Sequence, residues 1–145
     1  MKKARITKRF QFEAAHCLTK HDGKCKQVHG HTYTLEVSLI GDIIENPFSP
    51  EFGMVFDFGK LGKVVRSVID MLYDHRMLND SLEGVYPTAE NMCYELFSSI
   101  SMGLTEATQD GPNRIMLEKV RLWETANSWA EVSCDMITGI LGGEF

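Results

Sequence analysis

The chain has 145 residues, 43% of them hydrophobic, and a formal net charge of −5. That length suits one compact domain, read here as 1–145, and that apolar fraction excludes a disordered chain. The acidic balance argues against nucleic acid or an anionic membrane as partner, and no run approaches the length of a membrane-spanning helix.

The start, Met1-Lys2-Lys3-Ala4-Arg5, is basic, but no apolar stretch of signal-peptide length follows. The expected location is the cytoplasm, where thiols stay reduced. Cys17, Cys25, Cys93 and Cys134 contain no C-x-x-C pair and read as individual thiols.

From Ile6 the even positions run Ile6, Lys8, Phe10, Phe12, Ala14, His16, a mostly apolar strand face ending in a histidine. Cys17 to Val28 is polar and lysine-rich and reads as a loop. From His29 the odd positions run His29, His31, Tyr33, Leu35, Val37, Leu39, a half-buried strand. Two strands joined by this loop predict an antiparallel pair. Asn46-Pro47-Phe48-Ser49-Pro50 is a turn-rich break, and Met54 to Phe58 reads as a short strand or extended entry. Leu61, Val64, Val65, Val68, Ile69 and Leu72 then fall at helical spacing, with Asp74-His75 just beyond. Thr88 is a good N-cap for a second helix with the stripe Ala89, Met92, Cys93, Leu96, Phe97, Ile100. Its position on that stripe makes Cys93 a core thiol. Gln109-Asp110-Gly111-Pro112-Asn113 reads as a turn. Met116, Val120 and Leu122 share a strand face with Glu124, and the last strand runs from Trp129 to Cys134. This order predicts an α+β fold, an antiparallel β-sheet with two helices on one face.

Three side chains carry the strongest chemical signal. His29 and His31 are two apart in a strand, so both point to the same face. His16 ends the neighbouring strand, and three imidazoles suit a zinc ion with one open coordination position. Cys25 lies four residues before His29, between Lys24 and Lys26, and nearby positive charge lowers a thiol pKa. It reads as a general base or nucleophile, as a fourth ligand that would close the site, or as an idle loop thiol. A carboxylate such as Asp74 can orient His75, although a histidine is also favoured at a helix C-terminus. Glu124, on an apolar strand face, would bind an amidine-like group through two N–H bonds, pair with Arg121 or Arg114, or simply be exposed at the strand end.

Taken together these segments resemble a known family. Phe12-Glu13-Ala14-Ala15-His16, Cys25-x-x-x-His29-Gly30-His31, Gly53-Met54-Val55-Phe56-Asp57-Phe58, Asp74-His75 with Leu78-Asn79-Asp80, Pro87-Thr88-Ala89-Glu90-Asn91 and Glu124-Thr125 stand in the order seen in the 6-pyruvoyltetrahydropterin synthase and 6-carboxytetrahydropterin synthase family. The three-residue gap between Cys25 and His29 is similar to the 6-carboxytetrahydropterin synthase branch of queuosine biosynthesis. The chain departs from the usual pattern at Gly59-Lys60-Leu61-Gly62 and at Arg76.

The resemblance implies a tunnelling fold, with sheets joined into a trimeric barrel and two trimers stacked as a homohexamer. It implies that His16, His29 and His31 bind catalytic Zn2+, that Cys25 is the general base, and that Asp74 with His75 relays protons. Glu124 would anchor the pterin, with Thr88 and Glu90 beside it. The basic cluster Lys20, Lys24 and Lys26, read from charge and not from the resemblance, would meet a triphosphate. The implied substrate is 7,8-dihydroneopterin triphosphate, converted to 6-carboxy-5,6,7,8-tetrahydropterin, acetaldehyde and triphosphate. The rivals are the pyruvoyl synthase activity and a non-catalytic protein with a closed structural zinc site.

Overall fold

The computed structural model describes residues 1–109 and 115–141, so 110–113 of the expected turn, and Arg114, lie outside it. Five strands are β1 (Lys3–His16), β2 (His29–Asp42), β3 (Arg76–Met77), β4 (Ile115–Thr125) and β5 (Ser128–Ser133). The helices among the described residues are α1 (Phe58–Leu72), α2 (Leu78–Ser81), α3 (Ala89–Ala107) and α4 (Cys134–Leu141). The strands form one sheet in the order β3-β1-β2-β4-β5.

Period-two alternation builds this sheet. Phe10, Phe12, Ala14 and His16 of β1 are buried, while Arg9, Gln11 and Glu13 between them are exposed. Tyr33, Leu35, Val37 and Leu39 of β2 are fully buried on the same face. Phe12 lies opposite Tyr33, and their rings stack at 5.0 Å. The two long helices cover that face. Leu61, Val65 and Ile69 of α1 and Met92, Cys93, Leu96 and Ile100 of α3 share one core with the inward strand residues. Each such side chain contributes roughly 1.5–3 kcal/mol by leaving water. Cys93 is the core thiol expected of it. Its Sγ donates to the Val120 carbonyl at 3.3 Å, and burial pushes its pKa up to about 12.

Three details differ from the sequence expectation. The sheet is mixed, because the two residues of β3 pair parallel to β1 at Ala14 and Ala15. Of the two readings of Met54 to Phe58, a short strand or an extended entry, the strand does not form. Ile44 N donates to the Met54 carbonyl, Gly53 sits at φ +81°, and Val55 and Phe56 turn into the core. Asp57 then starts α1 by accepting from Lys60 N at 2.9 Å. The last strand stops at Ser133, and α4 begins at Cys134. Among the described residues, no helix is long and apolar enough to cross a membrane.

Replacing Asp57 by alanine leaves an N–H of the first α1 turn without its acceptor. The expected cost is about 1 kcal/mol of folding stability, read from the urea midpoint. An unchanged midpoint would remove this cap from the account of why α1 begins where it does.

Candidate metal and substrate site

Strand register assembles the histidines. His16 lies directly opposite His29, and His31 faces Ala14 two positions along the same face. Their ligand atoms all lie within 4.8 Å of one another. Among the described residues this is the one such group, and Cys25 is not part of it.

Two of the rings are fixed through the nitrogen that faces away. His16 Nδ1 donates to the Pro87 carbonyl at 2.7 Å, and His29 Nδ1 donates to the Gln27 carbonyl at 2.8 Å. Both Nε2 atoms are left to ligate, and they lie 3.0 Å apart. A tetrahedral zinc with bonds of about 2.1 Å sets its nitrogens roughly 3.4 Å apart, a value between this 3.0 Å separation and the 4.8 Å limit within which all three ligand atoms lie. Carbonyl acceptors behind ligating histidines are the usual outer support of such sites. His31 Nε2 is buried with no hydrogen-bond partner. Burial foremost, opposed by Glu124 and aided by His16 and His29, holds the His31 pKa below its ordinary value, which favours the neutral, ligating ring. The donor set and the orphaned nitrogen both fit a divalent ion of the zinc type.

Glu124 belongs to this site and not to Arg121, with Arg114 outside the described residues. Its Oε1 lies 3.4 Å from His31 Nε2, whereas Arg121 binds Glu131 at 2.7 Å. The pairing of Leu35 with Leu122 and Thr34 with Trp123 carries Glu124 to this end of the sheet. Tyr33 lies beside His31, with ring centroids 5.5 Å apart. Its hydroxyl is also buried without a partner, and burial followed by the Glu124 charge raises its pKa. A cavity of about 210 Å³ gathers Glu124, Thr88 and Glu90 with Leu18, Ser128 and Trp129. Thr88 caps α3, accepting from Asn91 N at 3.3 Å. The three residues expected to hold a substrate ring therefore line one cavity.

The other candidates lie outside the Glu124 cavity. Cys25 sits in a single 3-10 turn, Lys24–Lys26, half-buried, with its carbonyl accepting from Leu18 N at 2.8 Å. Lys24 and Lys26 are exposed, and the Lys20 ammonium lies 5.7 Å from the Tyr86 ring. Asp74 and His75 do touch, with His75 Nδ1 3.0 Å from Asp74 Oδ1. Asp74 also accepts from Glu13 N at 3.0 Å. That bond first, and His75 second, holds its carboxyl below the usual aspartate range. His75 adopts φ +56°, a left-handed conformation costing a non-glycine residue of order 1 kcal/mol, and its N–H donates to the Glu13 carbonyl. The pair stands at the β1 edge, outside the Glu124 cavity, in a groove lined by Glu13, Gly30, Thr32 and His75 that reaches His31.

Several participants gave no chemical signal in the sequence. Asn79 clasps the residue after His16, with Oδ1 accepting from Cys17 N and Nδ2 donating to the Cys17 carbonyl, both at 2.8 Å. Its motif was visible, but not this partner. The Pro87 and Gln27 carbonyls are backbone groups, which no residue type announces. Trp129 enters the cavity wall half-exposed, its ring 4.2 Å from that of Trp123.

Comparison with known proteins matches residues 5–134 to the family model described as 6-pyruvoyl tetrahydropterin synthase. A Synechocystis protein named 6-carboxy-5,6,7,8-tetrahydropterin synthase is 35% identical over 94% of this chain and 98% of its own. A Pyrococcus furiosus protein named dihydroneopterin monophosphate aldolase is 37% identical over 84% of this chain and 90% of its own. The solved 6-pyruvoyl tetrahydropterin synthase of Caenorhabditis elegans superposes with a TM-score of 0.75 at 28% identity, covering 92% of this chain and 96% of that one. A match spanning nearly the whole chain, on a fold shared with a solved member, settles its kinship: the chain belongs to the 6-pyruvoyl tetrahydropterin synthase family of pterin enzymes.

Proposed function

We propose that this protein is a zinc-dependent lyase that converts 7,8-dihydroneopterin triphosphate to 6-carboxy-5,6,7,8-tetrahydropterin, acetaldehyde and triphosphate. The observation that carries the reading is the cluster of His16, His29 and His31, ligand atoms within 4.8 Å, with Glu124 3.4 Å from His31. The name of the Synechocystis relative supports the carboxy branch, as does the Cys25-x-x-x-His29 spacing.

His16 and His29 would hold zinc through Nε2 and His31 would complete the set, leaving one position open. Bound there, zinc supplies Lewis-acid polarisation of substrate oxygens. Glu124 accepts two parallel N–H bonds from the aminopyrimidine edge of the pterin, a match of charge and geometry. Thr88 and Glu90 border the same ring. Cys25, as thiolate, withdraws a proton from the substrate side chain. Asp74 accepts the His75 Nδ1–H, which leaves His75 Nε2 to pass a proton on. Lys20, Lys24 and Lys26 meet the triphosphate. The protein acts in queuosine biosynthesis, in the cytoplasm, as a homohexamer built from two trimers. An open strand edge supports assembly, since β1 pairs on its outer side only through Ala14 and Ala15.

The deciding experiment is a mass spectrum of the zinc-loaded protein's reaction with the triphosphate, run beside an acetaldehyde assay. The expected result is 6-carboxytetrahydropterin together with acetaldehyde. A pyruvoyl product without acetaldehyde overturns the carboxy assignment. The Pyrococcus relative's name makes a monophosphate the competing substrate, so turnover of dihydroneopterin monophosphate alone overturns the triphosphate assignment.

Two variants test the roles. Cys25→Ala is expected to keep zinc and melting temperature while turnover falls about 10²–10⁴-fold, the scale of a lost general base. Loss of zinc and unfolding would instead make Cys25 a structural ligand. His75→Asn keeps a residue that tolerates the left-handed backbone, so the fold should persist while turnover falls roughly 10²-fold. Wild-type turnover in His75→Asn would remove the proton relay.

A further inference from the structure

The loop that carries Cys25 is almost entirely self-contained. Leu18 N donates to the Cys25 carbonyl, His21 N to the Leu18 carbonyl and Gly23 N to His21 Nδ1. Among the described residues, one hydrogen bond reaches 19–26 from outside the loop, from Lys20 N to the Tyr86 hydroxyl at 3.0 Å. The Lys20 ammonium also lies 5.7 Å from the centre of the same ring, within cation–π range.

Tyr86 is itself firmly held. Its carbonyl accepts from Thr88 N at 2.8 Å and from Asn91 Nδ2 at 3.0 Å, which ties it to the first turn of α3. The next carbonyl along, that of Pro87, is the acceptor that fixes His16. One three-residue segment, Tyr86-Pro87-Thr88, thus ties the loop through a side chain, a metal-site histidine through a backbone oxygen, and the cavity through Thr88. Neighbouring residues of one rigid connection cannot move independently. The position of the thiol relative to the histidines is therefore set in part through Tyr86, alongside the Leu18 N–Cys25 carbonyl bond, Asn79 at Cys17 and the Gln27 carbonyl at His29.

We infer that Tyr86 is a positioning residue, whose hydroxyl anchors the loop bearing Cys25 against the segment that orients His16. The inference rests on the proposed role of Cys25 as base. Catalytic geometry is sensitive to displacements of about 1 Å, so a loosened loop lowers the chemical step more than substrate binding.

The test is Tyr86→Phe, which keeps the ring beneath Lys20 and deletes the acceptor oxygen. Four quantities are compared with the wild-type protein: zinc content, amide exchange at Lys20, iodoacetamide alkylation at Cys25 read by peptide mass spectrometry, and kcat with KM for the pterin triphosphate. Zinc content should hold. Lys20 exchange and Cys25 alkylation should each rise about three- to tenfold, the opening expected when one hydrogen bond is lost. A fall in kcat with little change in KM should accompany them. Lys20→Pro, which deletes the donor N–H from an exposed position and leaves no amide there to exchange, should reproduce the rise in Cys25 alkylation and the fall in kcat, with a KM change of its own from the lost ammonium, and serves where Tyr86→Phe does not fold. Wild-type exchange in Tyr86→Phe or wild-type alkylation in either variant overturns the inference, and so does a loosened loop with wild-type kcat. Exchange and alkylation need no substrate, so they decide the tether even where Cys25→Ala has already sunk the role of the thiol.

Discussion

Everything at the site depends on the pairing of β1 with β2. Side chains alternate faces along a strand, so a slip of one residue would send His16 to one side of the sheet and leave His29 and His31 on the other. Both faces enforce the observed register. Inside, Phe10 meets Leu35 and Phe12 stacks on Tyr33. Outside, directly opposed residues bond to each other: Thr7 with Ser38 at 2.8 Å, Arg9 with Glu36 at 2.8 Å, and Thr32 with Glu13 at 2.8–2.9 Å. Each outer contact contributes little alone. A shifted pairing would break all of them together with the apolar matches.

Turning three imidazoles inward carries an energetic penalty. Buried polar groups cost stability unless they are bonded, and this protein bonds the histidines on one side only. Pro87 and Gln27 satisfy two outward nitrogens. His31 Nε2 and the Tyr33 hydroxyl stay buried and unpaired, within the influence of the Glu124 carboxylate. Native proteins rarely keep such atoms without a use. The apolar packing of β1, β2, α1 and α3 offsets that penalty and keeps the open nitrogens in place.

Much of this arrangement was legible because it follows short-range rules. Alternation exposed the inward faces of β1 and β2, helical spacing exposed α1, and Thr88 marked the start of α3. What stayed hidden has physical reasons. A two-residue parallel strand such as β3 has no period to detect. Met54 to Phe58 has strand-like composition, yet Val55 and Phe56 serve as anchors of a turn and Asp57 as a cap. The nearness of Glu124 to His31 requires a strand pairing across most of the chain, and the sequence left an arginine partner equally open. Asn79 and Tyr86 bond to backbone groups and Pro87 acts through its own carbonyl, and no residue type declares such partners.

The sheet order also separates the site by contact range. His16, His29 and His31 all sit on one hairpin, joined by a single loop. Glu124 reaches them only through β4, which pairs with β2 after the whole helical half of the chain has intervened. Loop-closure entropy grows with the length of chain enclosed, and non-local pairing is the slow part of folding. The three ligands thus depend on the most local pairing in the sheet, while the carboxylate beside them depends on a contact that encloses most of the chain. A loss of β4 docking would strip the site of Glu124 and leave the β1–β2 pairing that aligns the imidazoles.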